Sequence, residues 1–77
     1  MEVKILCFGP LAEQIGWREN ILHVDENTAI TSILVDLEII QWLNAGLRIS
    51  MNGEFVDSST RIQQECEIAL LPPVSGG

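Results

Sequence analysis

The sequence predicts an α+β domain with about five strands and one main helix packed across them. Three patterns in the 77 residues carry that expectation. Apolar residues alternate or cluster in short strand-like runs at both ends, and a single central stretch repeats at helical spacing. An Asn52-Gly53 pair also joins two further short runs as a hairpin. A chain of this size makes one domain and buries only about 60% of its unfolded surface, so a compact two-layer arrangement is the workable one.

Each element follows from its residues. Glu2-Val3-Lys4-Ile5-Leu6-Cys7-Phe8 is rich in strand formers, has a period of two in its first half, and opens the fold as a strand. Gly9-Pro10 breaks that pattern, and Pro10 starts a short helix over residues 11–15 that ends at Gly16. Residues 19–24 read as a second strand, reached through a turn near Gly16-Trp17. Asp25-Glu26-Asn27-Thr28 then supplies N-cap candidates, with acids near the positive end of a helix dipole.

Ile30, Ile33, Leu34 and Leu37 fall at i, i+3, i+4 and i+7, the spacing of a helix with one apolar face. Ile39-Ile40-Gln41-Trp42-Leu43-Asn44 either extends that helix or forms a separate turn closed by Gly46. Leu47-Arg48-Ile49-Ser50-Met51 alternates, and Glu54-Phe55-Val56 returns antiparallel after Asn52-Gly53. Asp57-Ser58-Ser59-Thr60 is a turn, a loop runs from Arg61 to Glu65, and the last strand covers residues 66–71.

Composition excludes several functions. Eleven acids against Lys4, Arg18, Arg48 and Arg61 give a net charge of −7, and four scattered cations cannot neutralise a nucleic-acid backbone or an anionic membrane. A basic protein surface is the partner such a chain attracts. The apolar runs are far shorter than the 18 or so residues of a membrane span, and the first residues read as a strand and not as a signal peptide, so a soluble cytoplasmic protein is expected. Cys7 and Cys66 sit in apolar strand patterns and read as reduced, small hydrophobes.

Other candidates for chemistry reduce to structure. His23 has no metal-ligating cluster around it, so no metal site is expected. Glu65 and Glu67 share a strand face without a substrate cleft, and Trp17 and Trp42 read as packing residues. Ser58, Ser59 and Ser75 have no base partner, and no phosphate-binding glycine loop occurs.

The informative segment is the end. After the strand, Pro72 and Pro73 lack N–H donors and hold the chain extended, so pairing stops and a stiff tail over residues 72–77 follows the domain of residues 1–71. Six extended residues reach roughly 20 Å, enough to cross a small partner's surface. Val74 and Ser75 lead to Gly76-Gly77, a terminus without Cβ atoms that fits a channel only as wide as a peptide.

Phe8-Gly9-Pro10-Leu11-Ala12-Glu13, the Met51-Asn52-Gly53-Glu54 hairpin, Glu67-Ile68-Ala69-Leu70-Leu71 and the ending Pro72-Pro73-Val74-Ser75-Gly76-Gly77 together resemble the small, sulfur-carrier subunit of molybdopterin synthase. The likeness covers nearly the whole chain. It departs at Ala12, where family members often carry a basic residue, and at Gln63-Gln64-Glu65, where an Asp-Gly type turn is usual. The resemblance implies a ubiquitin-like β-grasp roll, with a mixed sheet and the tail protruding from it.

It also implies a chemical cycle at Gly77. An E1-like adenylating enzyme uses ATP to activate the terminal carboxylate, sulfur replaces the adenylate to give a thiocarboxylate, and the tail enters the large catalytic subunit. There the sulfur attacks a cyclic pyranopterin precursor, and two deliveries build the dithiolene of molybdopterin. The carrier alone has no turnover and binds no cofactor stably; ATP is used by its partner, and sulfur travels covalently. A heterotetramer of two large and two small subunits is the family's assembly.

If the first and last strands lie side by side and parallel, as in this fold, Glu2, Lys4, Leu6 and Phe8 share one face with Glu67, Ala69 and Leu71. Val3, Ile5, Cys7, Ile68 and Leu70 then meet the helix on the other. Leu6, Phe8 and Leu71 are expected to form an exposed apolar patch that docks the large subunit and guides the tail. Two alternatives share the diglycine: a sulfur carrier of another pathway such as thiazole synthesis, and a ubiquitin-like protein modifier. The Pro-Pro-Val-Ser stem argues against the first, and Lys4 as the only lysine limits polymer formation in the second.

Overall fold

The computed structural model describes residues 1–73. Along the chain run β1 (Glu2–Cys7), α1 (Gly9–Ile15), β2 (Glu19–His23), β3 (Thr28–Ala29), α2 (Ile30–Asp36), a 3₁₀ turn (Ile40–Leu43), β4 (Arg48–Met51), β5 (Glu54–Val56), β6 (Arg61–Ile62) and β7 (Cys66–Leu71). Five strands form one sheet in the order β2-β1-β7-β4-β5. β1 and β7 are parallel and the other neighbours antiparallel, so the sheet is mixed and the topology is that of the β-grasp.

Alternation decides what is buried. Val3, Ile5 and Cys7 of β1, Ile49 of β4, and Ile68 and Leu70 of β7 turn to one face, where Ile30, Ile33 and Leu34 of α2 close over them. Leu11, Ala12, Ile39, Leu47 and Ile62 complete this single core, and the half-buried Trp17 and Trp42 pack against its rim. β1 stops at Cys7, one residue earlier than the strand pattern suggests, because Phe8 is the N-cap residue of α1.

The entry to α2 departs from expectation. None of the residues 25–28 caps it; Thr28 and Ala29 instead form β3, which pairs with Ile62 and Arg61 of β6 in a two-stranded sheet. Residues 61–65 are therefore not simply a loop. The orphan donors at the start of α2 are met by backbone carbonyls of the neighbouring turn: Ile30 N–H donates to Thr60 O at 3.0 Å and Thr31 N–H to Ser58 O at 3.0 Å. That turn is shaped by Asp57, whose carboxylate accepts from the Ser59 N–H at 3.1 Å.

The exit from α2 settles the 38–46 segment as a separate turn. Ile39 N–H donates to Leu34 O at 2.9 Å and Glu38 N–H to Val35 O at 3.0 Å, the bonds of a Schellman cap. Glu38 takes φ 61, a left-handed position usually held by glycine, and buried Ile39 packs into the core immediately after it. At the β4–β5 turn Asn52 and Gly53 have φ 51 and 88, the two positive angles a two-residue hairpin requires.

Candidate functional site

Among the described residues, no helix or strand covers the face of the sheet opposite α2. Strand register lays its residues out in rows. Near the start of β1, Lys4 stands between Ile21 and Glu67, and Glu2 lies opposite His23. The next row runs Glu19, Leu6, Ala69, Ser50, Phe55, and the one after it pairs Leu71 with Arg48. The end where β7 leaves the sheet thus gathers Leu6, Ala69, Phe55 and Leu71 with Glu19 and Arg48 beside them, whereas Glu2, Lys4, His23 and Glu67 crowd the other end around Ile21. Small side chains at Ala69 and Ser50 make the middle of the apolar row shallow between Leu6 and Phe55.

Phe8 is 45% exposed and so is not a core residue under α1; Leu6 and Leu71 are half-buried. Phe55 is 59% exposed, and the Arg48 guanidinium lies 3.9 Å from its ring centroid. A cation over an aromatic face at an exposed site is attracted to the ring by about 0.5–1 kcal/mol. An open depression of about 340 Å³ is lined by Gly9, Ala12, Glu13, Gly16 and Arg18. Ala12, at the position where the family pattern favours a basic residue, is buried.

Both thiols lie on the inner side of the sheet. Cys66 pairs with Val3 and Cys7 with Leu70, so the two are four residues apart along parallel neighbours, about 13 Å at 3.3 Å per residue and far beyond disulfide reach. Cys7 is fully buried, as expected, whereas Cys66 is only half-buried at the sheet's end. Burial pushes the Cys7 thiol up to about 11 and raises that of Cys66.

β7 ends at Leu71, with Pro72 half-buried and Pro73 exposed beyond it. Val74, Ser75, Gly76 and Gly77 lie outside the described residues. Among the described residues no helix is long and apolar enough to cross a membrane.

The architecture and the residues of the ending coincide with one family. The model of the ThiS family matches residues 5–77. The chain belongs to the ThiS family. It is 34% identical over 84 residues to the molybdopterin synthase sulfur carrier subunit of Dictyostelium discoideum, covering 99% of this chain and 96% of that protein. The subunit of the same name from Caenorhabditis elegans is 26% identical over 83 residues, covering 100% and 99%.

Solved structures of this fold agree. SAMP1 from Haloferax volcanii superposes with a TM-score of 0.80 at 25% identity, covering 100% of both chains. A complex of subunits 1 and 2 of molybdopterin-converting factor from Helicobacter pylori 26695 contains a chain that is 29% identical to this ThiS-family member, with a TM-score of 0.67 and 100% of both chains covered.

Arg48 and Phe55 share the outer face of the sheet, a placement the sequence reading did not make. The signal was present: inward parity at Ile49 puts Arg48 and Ser50 outward, and a two-residue hairpin pairs Ser50 with Phe55. What the sequence lacked was proof that β4 lies beside β7, which carries Phe55 onto the same surface as Leu6 and Leu71.

Proposed function

We propose that this chain is the sulfur carrier subunit of a molybdopterin synthase, working in the cytoplasm, with Gly77 as the sulfur-bearing residue. The end-to-end likeness to the Dictyostelium subunit carries this reading. A carboxylate is a poor electrophile, so an E1-like partner first joins the Gly77 carboxylate to AMP from ATP, releasing pyrophosphate. A sulfur nucleophile then displaces AMP and leaves a thiocarboxylate. Gly76 gives clearance beside it, and Ser75, Val74, Pro73 and Pro72 form the stem that spans to the partner's site.

The large subunit docks on the uncovered face. Leu6, Phe8 and Leu71 form its apolar anchor, and Phe55 with Arg48 extends the contact across β4 and β5. The acidic balance of the chain favours a basic partner surface and fast encounter. The carrier supplies the reagent; positioning of the precursor and proton transfer belong to the large subunit, in an assembly of two large and two small chains.

The likeness to SAMP1, the small archaeal modifier protein 1, favours a second reading, a protein modifier that passes the same activated carboxylate to a lysine of another protein. One experiment separates the two. The full chain is incubated with its activating enzyme, ATP and a sulfur source, and its intact mass is measured. A carrier gains one sulfur in place of one oxygen at Gly77 and then restores activity to the large subunit. An unchanged mass under active conditions overturns the carrier reading, and conjugates to other proteins' lysines establish the modifier.

A further inference from the structure

β7 is the middle strand of the sheet, flanked by β1 up to Leu70 and by β4 up to Leu71. Beyond it the ladder cannot continue, because Pro72 and Pro73 have no N–H to donate. The stem must be held by packing if it is held at all. Continuing the two registers one and two steps past the strand brings Pro72 beside Gly9 on the β1 side and Pro73 beside Gly46 on the β4 side.

The atoms agree. A Cβ on Gly9 would lie 3.8 Å from Pro72 Cγ, and one on Gly46 would lie 3.6 Å from Pro73 Cβ and 3.9 Å from its Cγ. Each proline ring therefore lies at ordinary contact distance from where a glycine Cβ would stand, with Gly9 on the β1 side of the stem and Gly46 on the β4 side. An alanine would just touch the ring; a longer side chain would drive into it. Both glycines also have positive φ, 55 at Gly9 and 102 at Gly46. Gly53, with φ 88 and nothing within 4 Å of its notional Cβ, needs glycine for its turn alone.

We propose that Gly9 and Gly46 are positioning residues that form a two-sided notch for the Pro72 and Pro73 rings and so set the direction in which the stem leaves the sheet. The structural part stands by itself; its consequence for sulfur delivery rests on the carrier reading. A pre-aimed stem spares the chain the ordering cost of finding the partner's channel, and a misaimed one misplaces the reacting end.

The test uses the full chain. Proton–proton Overhauser contacts are expected from the Pro72 ring to the Gly9 α-protons and from the Pro73 ring to those of Gly46. Gly46→Val is expected to abolish the Pro72–Gly9 contact and to slow delivery by the thiocarboxylate form roughly tenfold or more, since small misplacements of reacting groups are costly. Affinity for the large subunit falls as well, because the unaimed stem pays its ordering cost on binding. Gly53→Val, with comparable backbone strain in open space, leaves contact and delivery intact.

Should Gly46→Val fail to fold, Pro73→Ala removes the ring from the notch without straining the turn and is expected to slow delivery in the same way. Absence of either Overhauser contact in the unaltered chain overturns the proposal. So does a Gly46→Val variant no slower than Gly53→Val, or a Pro73→Ala variant that delivers at the full rate. Contacts present in a chain that accepts no sulfur leave the notch standing and remove the carrier reading instead.

Discussion

The two faces of the five-stranded sheet are built by the same strands and differ only in parity. Val3, Ile5 and Cys7 on β1 and Ile68 and Leu70 on β7 are buried under α2, while Leu6, Ala69 and Leu71 between them stay half-open on the other side. Successive side chains on a strand point to opposite faces, so a slip of one residue would exchange the core face and the outer face together. The pairing that makes the fold stable is thus also the pairing that presents the proposed interface. Stability and recognition are coupled through register but separable by residue.

That separation can be broken hardest at Ile5. Ile5→Ala removes a fully buried side chain from the centre of the core and is expected to cost about 2–5 kcal/mol in urea unfolding. Across the same sheet, Phe8→Ala and Phe55→Ala should leave unfolding within about 0.5 kcal/mol of the unaltered chain. Each should weaken large-subunit binding by roughly tenfold or more in titration calorimetry. If Phe8→Ala loses thermal stability and keeps its affinity, the outer face is structural and the contrast between faces fails.

Cys7 sharpens the inner side by pH. Below pH 9.0 its thiol is neutral whether the chain is folded or not, and its full contribution to stability is present. As pH rises the unfolded thiol ionises first, because burial holds the folded one at about 11, so stability falls between these values. Chemical denaturation across that window should show a steeper alkaline loss for the unaltered chain than for Cys7→Ala, whose lower overall stability lacks this slope.

The smallest effect concerns neither face. Glu38 holds a left-handed angle at the end of α2, and Glu38→Gly should stabilise the domain by about 1 kcal/mol, seen as a rise of several degrees in Tm.

Much of this was legible in the residues. The five strands of the main sheet, the Asn52-Gly53 hairpin and the inward stripe of Ile30, Ile33 and Leu34 follow from patterns only a few residues long. What escaped depended on contacts between distant segments. Asp25 to Thr28 carry good capping chemistry, yet carbonyls from Ser58 and Thr60 take the donors of α2, and Thr28-Ala29 pairs with β6. Likewise nothing local forbids the helix from running past Glu38. Burying Ile39 in the core is what turns the chain there.

By itself the sequence determined the alternation that divides each strand, the proline stem that must leave the ladder, and the diglycine on which the proposed sulfur carriage rests. These are properties of neighbouring residues, set by side-chain geometry and by the missing N–H of proline. Tertiary structure alone decided which surfaces meet. It placed β4 beside β7, bringing Phe55 and Arg48 to the face of Leu6 and Leu71, and it set Gly9 and Gly46 against the two proline rings. Those relations join residues far apart in the chain, and only the closing of one core around β1, β7 and α2 brings them within contact.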